Sequence, residues 1–339
     1  MSSAEPEREL ALERIAIGFN PTISAKEVAD HSRAAESKGY ESFWVHEHPF
    51  IKDAVSLLSS AMAVTKSIKL GAGCVSVVTR HPLLTTTTFL SLNEMSGGRV
   101  IMGVGLGGFP WLPKIGVKVF PAHETKPLKR ITEFLTITNG LLNGETVSLN
   151  GEFFKVSEIK LETRPSGKLP VYLAAFGPLS LKAAPRLVDG VIISPALMTP
   201  ETTAQKVHIV ETSQQGESKI DVASYILSTV SNDPQQARSI MKSYYFLQYQ
   251  VAEVLSPEVF EPYGVNQRDL EPIKEAWRKR DLAAAAKAMP DAVVDALTLT
   301  GNADQCVERL RAFRKAGVNL PIIMPIGDVN ASIEAYAPN

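Results

Sequence analysis

The sequence predicts a single α/β domain, a (β/α)8 TIM barrel with insertions at the C-terminal face of its strands, and three observations predict it. Short apolar runs of β type alternate with longer segments of helical period, the pattern of a parallel sheet with helices outside it. Eight such runs can be counted, the number that closes a barrel, and most are apolar throughout, as strands covered on both faces should be. The two longest departures from the alternation each follow a strand, which puts them at the barrel end where active sites lie.

Taken in order, residues 1–13 mix acidic and basic side chains without the apolar core of a secretion signal, and we read them as a flexible arm ahead of a barrel over 14–339. The eight strands are expected at 15–19, 42–46, 69–73, 100–104, 171–175, 190–194, 222–229 and 320–324. After the first, Ser24 and Glu27 have capping-box spacing, Ile23 and Val28 stand at hydrophobic-staple positions, and Gly39 sits where a left-handed helix stop belongs. The last helix repeats this logic, with Asn302 as its start, Cys306, Leu310 and Phe313 on one face, and Gly317 as its stop. The insertions are expected near 106–123 and 255–290, the second with a helical DLAAAAKAM tail. Between them, TVSLNGEFFKV alternates around Asn150-Gly151 and reads as a structural hairpin.

Composition narrows the function classes. A barrel of this kind accommodates 339 residues around one core, and a net charge of -1 provides no global field for nucleic acid or an anionic membrane. No segment approaches the ~20 apolar residues of a membrane span. Cys74 and Cys306, the two cysteines, make no disulfide framework and fit a reducing compartment, so a cytoplasmic protein acting on a small molecule is expected.

Candidate chemistry concentrates at strand ends. In FWVHEHP, period two puts His46 and His48 on one side of the second strand and Glu47 on the other. Strand-end histidines commonly satisfy a loop carbonyl, but in a barrel they converge on one cavity. His-x-His also suits a divalent metal, as in a metal-dependent hydrolase. With six histidines, two of them mid-helix at His31 and His208, and strand ends made mostly of small residues, a metal shell lacks ligands, and no metal site is assigned. In KLGAGCVSVVTRHP, Gly71 and Gly73 mark a bulge or a close approach by backbone or ligand, before a helix starting near Pro82. SGGRV is punctuation between a helix and a strand. VYLAAFGPLSLKAA is a strand, a Gly-Pro turn and a helix, whose N-terminal N–H groups over Gly177 to Leu181 could hold a phosphate. GVGLGG at 103–108 lacks the glycine spacing of a dinucleotide fingerprint.

Together, SKGYESFWVHEH, LGAGCVSVVTRHP, SGGRVIMGVG, KPLKRITEFLTITNGLLNGETVSLNGEFFKV and VYLAAFGPLSLKAAPRLVDGVI resemble the luciferase-like superfamily, in particular its coenzyme F420-dependent, methylenetetrahydromethanopterin reductase-like branch. The resemblance implies a cofactor in the C-terminal cavity, with Glu47 and His48 at the positions that face a deazaflavin ring. It implies a ring supported on a bulge of Gly73, Cys74 and Val75 with a cis Gly73–Cys74 peptide, and a phosphate held by the turn Ala175, Phe176, Gly177, Pro178, Leu179 and Ser180. Four positions depart from the branch. Glu47 replaces its usual aspartate, Leu179 a lysine, and Gly18 and Gly108 stand where substrate-specific glutamates occur.

The resulting expectation is an oxidoreductase that moves a hydride between coenzyme F420 and a small organic substrate, with FMN as the alternative cofactor of a luciferase-like monooxygenase and a non-catalytic flavin binder as a further alternative. His48 is expected to donate a proton or polarise the substrate, and Glu47 to orient His48 or to bond the ring edge. Residues 106–123 form a lid, in which Lys114 and Lys118 are the obvious anion partners. Barrels of this class pair through outer helices, so a homodimer is expected.

Overall fold

The computed structural model describes residues 11–107, 112–118, 122–163, 167–193, 197–214 and 219–338. Eight parallel strands close into a barrel: β1 (Ala16–Phe19), β2 (Ser42–Val45), β3 (Lys69–Ser76), β4 (Val100–Gly105), β7 (Val171–Ala175), β8 (Gly190–Ile193), β9 (Asp221–Val230) and β11 (Leu320–Pro325). Closure comes from β11 pairing with β1, Ala16 opposite Ile322, and from β8 pairing with β9. The hairpin is present as antiparallel β5 (Val147–Asn150) and β6 (Lys155–Ile159). Its turn is held by Glu133, whose carboxylate accepts from the amides of Glu152, Phe153 and Phe154 at 2.8–3.1 Å.

All eight expected strands exist, and their ends move by a few residues. β3 runs on to Ser76, beyond the expected stop at Gly73, because its glycines bend the strand without ending its pairing with β4. A short β10 (Leu299–Gly301), paired with the C-terminal end of β9, was not foreseen, since three residues show no period.

The outer helices have readable starts. In α1 (Ala25–Ser37) the Ser24–Glu27 capping box forms on both sides. α2 (Ala54–Met62) is capped by Asp53, and α3 (Pro82–Met95) by the His81 imidazole, which accepts from the Leu83 amide at 3.2 Å. Next come α4 (Pro127–Leu142), α5 (Pro178–Leu187) and α6 (Pro200–Thr212). Beyond β9 the chain is helical through α7 (Pro234–Lys242), α8 (Gln267–Arg278), α9 (Leu282–Ala288) and α10 (Asp291–Leu297). The second excursion therefore starts earlier than the expected 255–290. Its apolar residues, among them Leu247, Phe260 and Leu270, join one cluster with the barrel interior through Leu227 and Met324, so it roofs the barrel as part of the same core. α11 (Ala303–Lys315), with the Asn302 capping box, and α12 (Val329–Ala335) complete the ring.

At the start of the described chain, Ala11 and Leu12 are buried and the Ala11 carbonyl accepts from Arg314, so the arm expected over 1–13 is docked from residue 11. Of the first insertion, Leu112–Ile115 forms a 3-10 turn, while Gly108 lies outside the described residues.

The barrel interior is filled from Trp44, Ile101, Tyr172, Tyr225 and Ile322. Such bulk fits because glycines face it: a Cβ on Gly71 would lie 2.3 Å from the Trp44 ring, and one on Gly18 2.6 Å from Tyr225 Cε1. At the N-terminal end, the Arg14 guanidinium binds Glu41 and Asp221 side by side, and the Tyr172 hydroxyl donates to Asp221, which ties four strands together away from the open end.

Candidate active site at the barrel mouth

β2 ends at Val45, but the His46 amide still donates to the Phe19 carbonyl at 3.0 Å, so the chain leaves the barrel with His46 at its rim. It then turns back, with His48 bridging to Lys52 and the His48 Nδ1 accepting from the Phe50 amide at 3.3 Å. Burial and the nearby Lys114 charge both lower the His48 pKa, which favours the neutral imidazole. Glu47 points elsewhere. Its carboxylate receives Arg80 Nε at 3.1 and 3.2 Å and a second, short bond from Arg80 Nη2, which also reaches Asp53. The expected bond from Glu47 to His48 is absent, because the Arg80 guanidinium from the loop after β3 claims that carboxylate. Asp53 also caps α2. Although burial alone would raise its pKa, the Ser56 hydroxyl and amide and the Arg80 charge hold its carboxyl below the usual range.

The bulge lies on the neighbouring strand. The β3–β4 register shifts between Ala72 and Val75, and the Gly73–Cys74 peptide is cis. Glycines make room for this bend. A Cβ on Gly103 would stand 2.0 Å from the Ala72 carbonyl oxygen, and one on Gly105 2.5 Å from Cys74 Sγ. Burial, with the Glu47 charge, pushes the Cys74 thiol up to about 12, so it is a packing group and no thiolate nucleophile.

The third piece lies two strands further round, where β7 ends at Ala175 and α5 begins. Gly177 is the N-cap, and no side chain caps this helix start; Ser180 turns its hydroxyl back to the Gly177 carbonyl at 2.8 Å. A Cβ on Gly177 would meet nothing within 4 Å, so the first-turn amides of Leu179 and Ser180 adjoin open space. Lys206 reaches this turn from α6. Its Nζ donates to the Phe176 carbonyl at 2.7 Å and lies 4.6 Å over the half-exposed Phe176 ring. Burial pushes Lys206 down to about 8.

Between these pieces stand two buried polar atoms without hydrogen-bond partners, His46 Nε2 and the Tyr225 hydroxyl. Their rings meet edge to face at 4.2 Å. Burial pushes His46 down to about 4 and Tyr225 well above its ordinary value, so both are neutral near pH 7. Above them Asn20 donates to the Tyr244 hydroxyl of the helical roof at 2.8 Å.

The expected site residues thus gather at one barrel end: Glu47 and His48 after β2, Gly73, Cys74 and Val75 in β3, and Ala175 to Ser180 after β7. Among the described residues, no three histidine, cysteine or carboxylate groups cluster as a metal would require. Arg80, Lys206 and Tyr225 escaped sequence reasoning. Only Tyr225 had a signal, as a polar-tipped aromatic in the middle of a buried strand.

A family model described as luciferase-like monooxygenase matches residues 10–320. The 5,10-methylenetetrahydromethanopterin reductase of Archaeoglobus fulgidus is 30% identical over 332 residues, 95% of this chain and 96% of that one. The enzyme of the same name from Methanolobus tindarius is 30% identical over 318 residues, 92% and 94% of the two chains. Among solved structures, the coenzyme F420 dependent tetrahydromethanopterin reductase from Methanopyrus kandleri superposes with a TM-score of 0.85 at 26% identity, covering 96% of this chain and 97% of that one.

Proposed function

This chain belongs to the luciferase-like monooxygenase family, and from that premise we propose that it is an oxidoreductase transferring a hydride between coenzyme F420 and a small organic substrate. The observation that carries the reading is the convergence, at one barrel mouth, of the β3 bulge, the His48 imidazole and an uncapped helix start flanked by a lysine. When bound, F420 supplies the hydride chemistry.

The residues present fit that group. The open space at Gly177 and the amides of Leu179 and Ser180 suit a phosphate, and Lys206 offers a cation beside them, on a different element from the lysine that Leu179 replaces. Gly73, Cys74 and Val75 offer a backbone surface for a planar ring. His48, whose lowered pKa favours the neutral imidazole, can hold or relay a proton through its ring. Glu47, fixed by Arg80, contributes charge and shape to the wall and holds the loops after β2 and β3 together. The 234–297 excursion packs its apolar residues onto the barrel interior, and Leu112 packs with Val78, Leu106 and Val117.

Titrating the purified protein separately with F420 and FMN, while following cofactor fluorescence and oxygen uptake, tests this reading. F420 is expected to bind without oxygen consumption. Tight FMN binding with substrate-dependent oxygen uptake instead assigns the chain to the monooxygenase alternative.

We further propose a cytoplasmic homodimer. No described helix is long and apolar enough to cross a membrane, and Leu84 and Met95 leave apolar surface exposed on α3. Light scattering on the purified protein is expected to give twice the chain mass; a single chain mass contradicts the dimer.

A further inference from the structure

Soon after leaving β2 the chain turns back on itself, and little apolar burial holds that turn: Phe50 and Ile51 at its tip are 57% and 46% exposed. Backbone bonds close it, from the His48 amide to the Lys52 carbonyl at 3.3 Å and from the Ile51 amide to the His48 carbonyl at 2.9 Å. One flank is anchored by Lys52, whose Nζ donates to the Thr22 and Ile23 carbonyls after β1 at 3.0 and 2.6 Å. The other is anchored by Arg80, from the loop after β3, which takes Glu47 with Nε and Nη2 and Asp53 with the same Nη2. Glu47 stands just before the turn and Asp53 just after it, so the guanidinium bridges its two ends, with His48 between them.

Neutralising a buried carboxylate accounts for only half of this arrangement. The Glu47 side chain, 9% exposed, needs a cation. The Asp53 side chain is 40% exposed, where an ion pair adds little stability. Yet its two oxygens are divided between two tasks. Oδ1 accepts from the Ser56 amide and hydroxyl, both at 2.7 Å, and caps α2, while Oδ2 is given to Arg80. A planar guanidinium, with its donors in a rigid fork, holds two carboxylates at a set separation; an ammonium on a flexible stem neutralises them without fixing it.

We propose that Arg80 is a positioning residue for the hydride-transfer reaction: its guanidinium clasps both ends of the turn between Glu47 and Asp53 and so fixes the His48 imidazole at the barrel mouth. The assignment rests on the oxidoreductase reading above and adds to it a residue that acts through the turn. A proton donor must stand within hydrogen-bond reach of its target, so a turn that wanders by ~1 Å lowers turnover while cofactor affinity is kept.

Three variants separate the clasp from the charge. Arg80→Lys keeps the cation and loses the fork. Asp53→Asn keeps the helix cap, because asparagine caps as well as aspartate, but with its oxygen on Ser56 it turns an amide donor toward Arg80. Arg80→Met removes fork and charge together. Each is compared with wild type by thermal unfolding, by F420 affinity, by oxidation of reduced F420 with methylenetetrahydromethanopterin, and by the His48 imidazole NMR resonances of the cofactor-free protein, assigned from their loss in His48→Gln. Arg80→Lys and Asp53→Asn are expected to keep a Tm close to wild type and an unchanged F420 affinity. Both are expected to show shifted or broadened His48 resonances and about a tenfold loss of kcat with little change in KM. Arg80→Met is expected to show the same signature together with a lowered Tm. Wild-type resonances and kcat in Arg80→Lys and Asp53→Asn, with only Arg80→Met unfolding earlier, assign Arg80 to charge compensation and overturn the proposal. So do displaced resonances with an unchanged kcat. Failure of wild type to bind F420 refutes the cofactor reading instead; the resonance comparison needs no cofactor and still decides the clasp.

Discussion

Single residues carry three separable tasks at this mouth, and each has its own test. His48→Ala is expected to cut turnover by about a hundredfold with little change in F420 affinity, since a positioned imidazole acts on the proton and not on the cofactor; an unaffected rate removes His48 from the mechanism. Lys206 is proposed to act on the phosphate. Lys206→Met is expected to weaken F420 about tenfold while leaving affinity for Fo, the deazaflavin with its ribityl chain but no phosphate, unchanged. Because Lys206 titrates near 8 and its charged form is the one that attracts phosphate, the preference of wild type for F420 over Fo is expected to persist below that pH and decline above it. An equal loss for both ligands contradicts the assignment. His46 shows itself in stability. Its folded pKa, about 4, lies below the ordinary histidine value of ~6.5. The unfolded chain therefore takes up a proton first as pH falls, and roughly 2–3 kcal/mol of stability is lost between those two values. His46→Gln is expected to flatten that part of the Tm–pH curve; the same slope in the variant contradicts a buried neutral imidazole.

At the scale of elements, the site is held by contacts between loops that follow different strands. Arg80, from the loop after β3, joins Glu47 after β2 to Asp53 at the start of α2, and the Glu47 side chain is only 9% exposed. Arg80→Met leaves that carboxylate without its cation and is expected to cost about 3 kcal/mol in denaturant unfolding. A change below about 0.5 kcal/mol shows that water, and not Arg80, satisfies Glu47. The eight barrel strands were legible because most are continuous apolar runs between turn signals, and α1 and α11 because their caps are local in sequence. β10 was too short to show a period, and the roof begins at Pro234 with helices whose polar faces mask their packing. Site residues at strand ends were legible only as far as the family resemblance marked them. The partners were not: Arg80 is 33 residues from Glu47, and Lys206 is 30 from Phe176. Those pairings exist only once the barrel brings neighbouring strands side by side.

The whole molecule is a division of labour along one axis. The N-terminal end is closed by the Arg14, Glu41, Asp221 and Tyr172 network, the middle is filled by Trp44, Tyr172 and Tyr225, and glycines toward the mouth let the backbone bend. Ion pairs hold both ends, Arg14 with Glu41 and Asp221 at the closed end and Arg80 with Glu47 and Asp53 at the mouth. The most direct test of this account is a crystal structure of the F420 complex. The ring is expected in van der Waals contact with Cys74 and Val75, with the phosphate within hydrogen-bond distance of the Leu179 and Ser180 amides and of Lys206. A ring bound away from β3, or a phosphate held at another strand end, contradicts it.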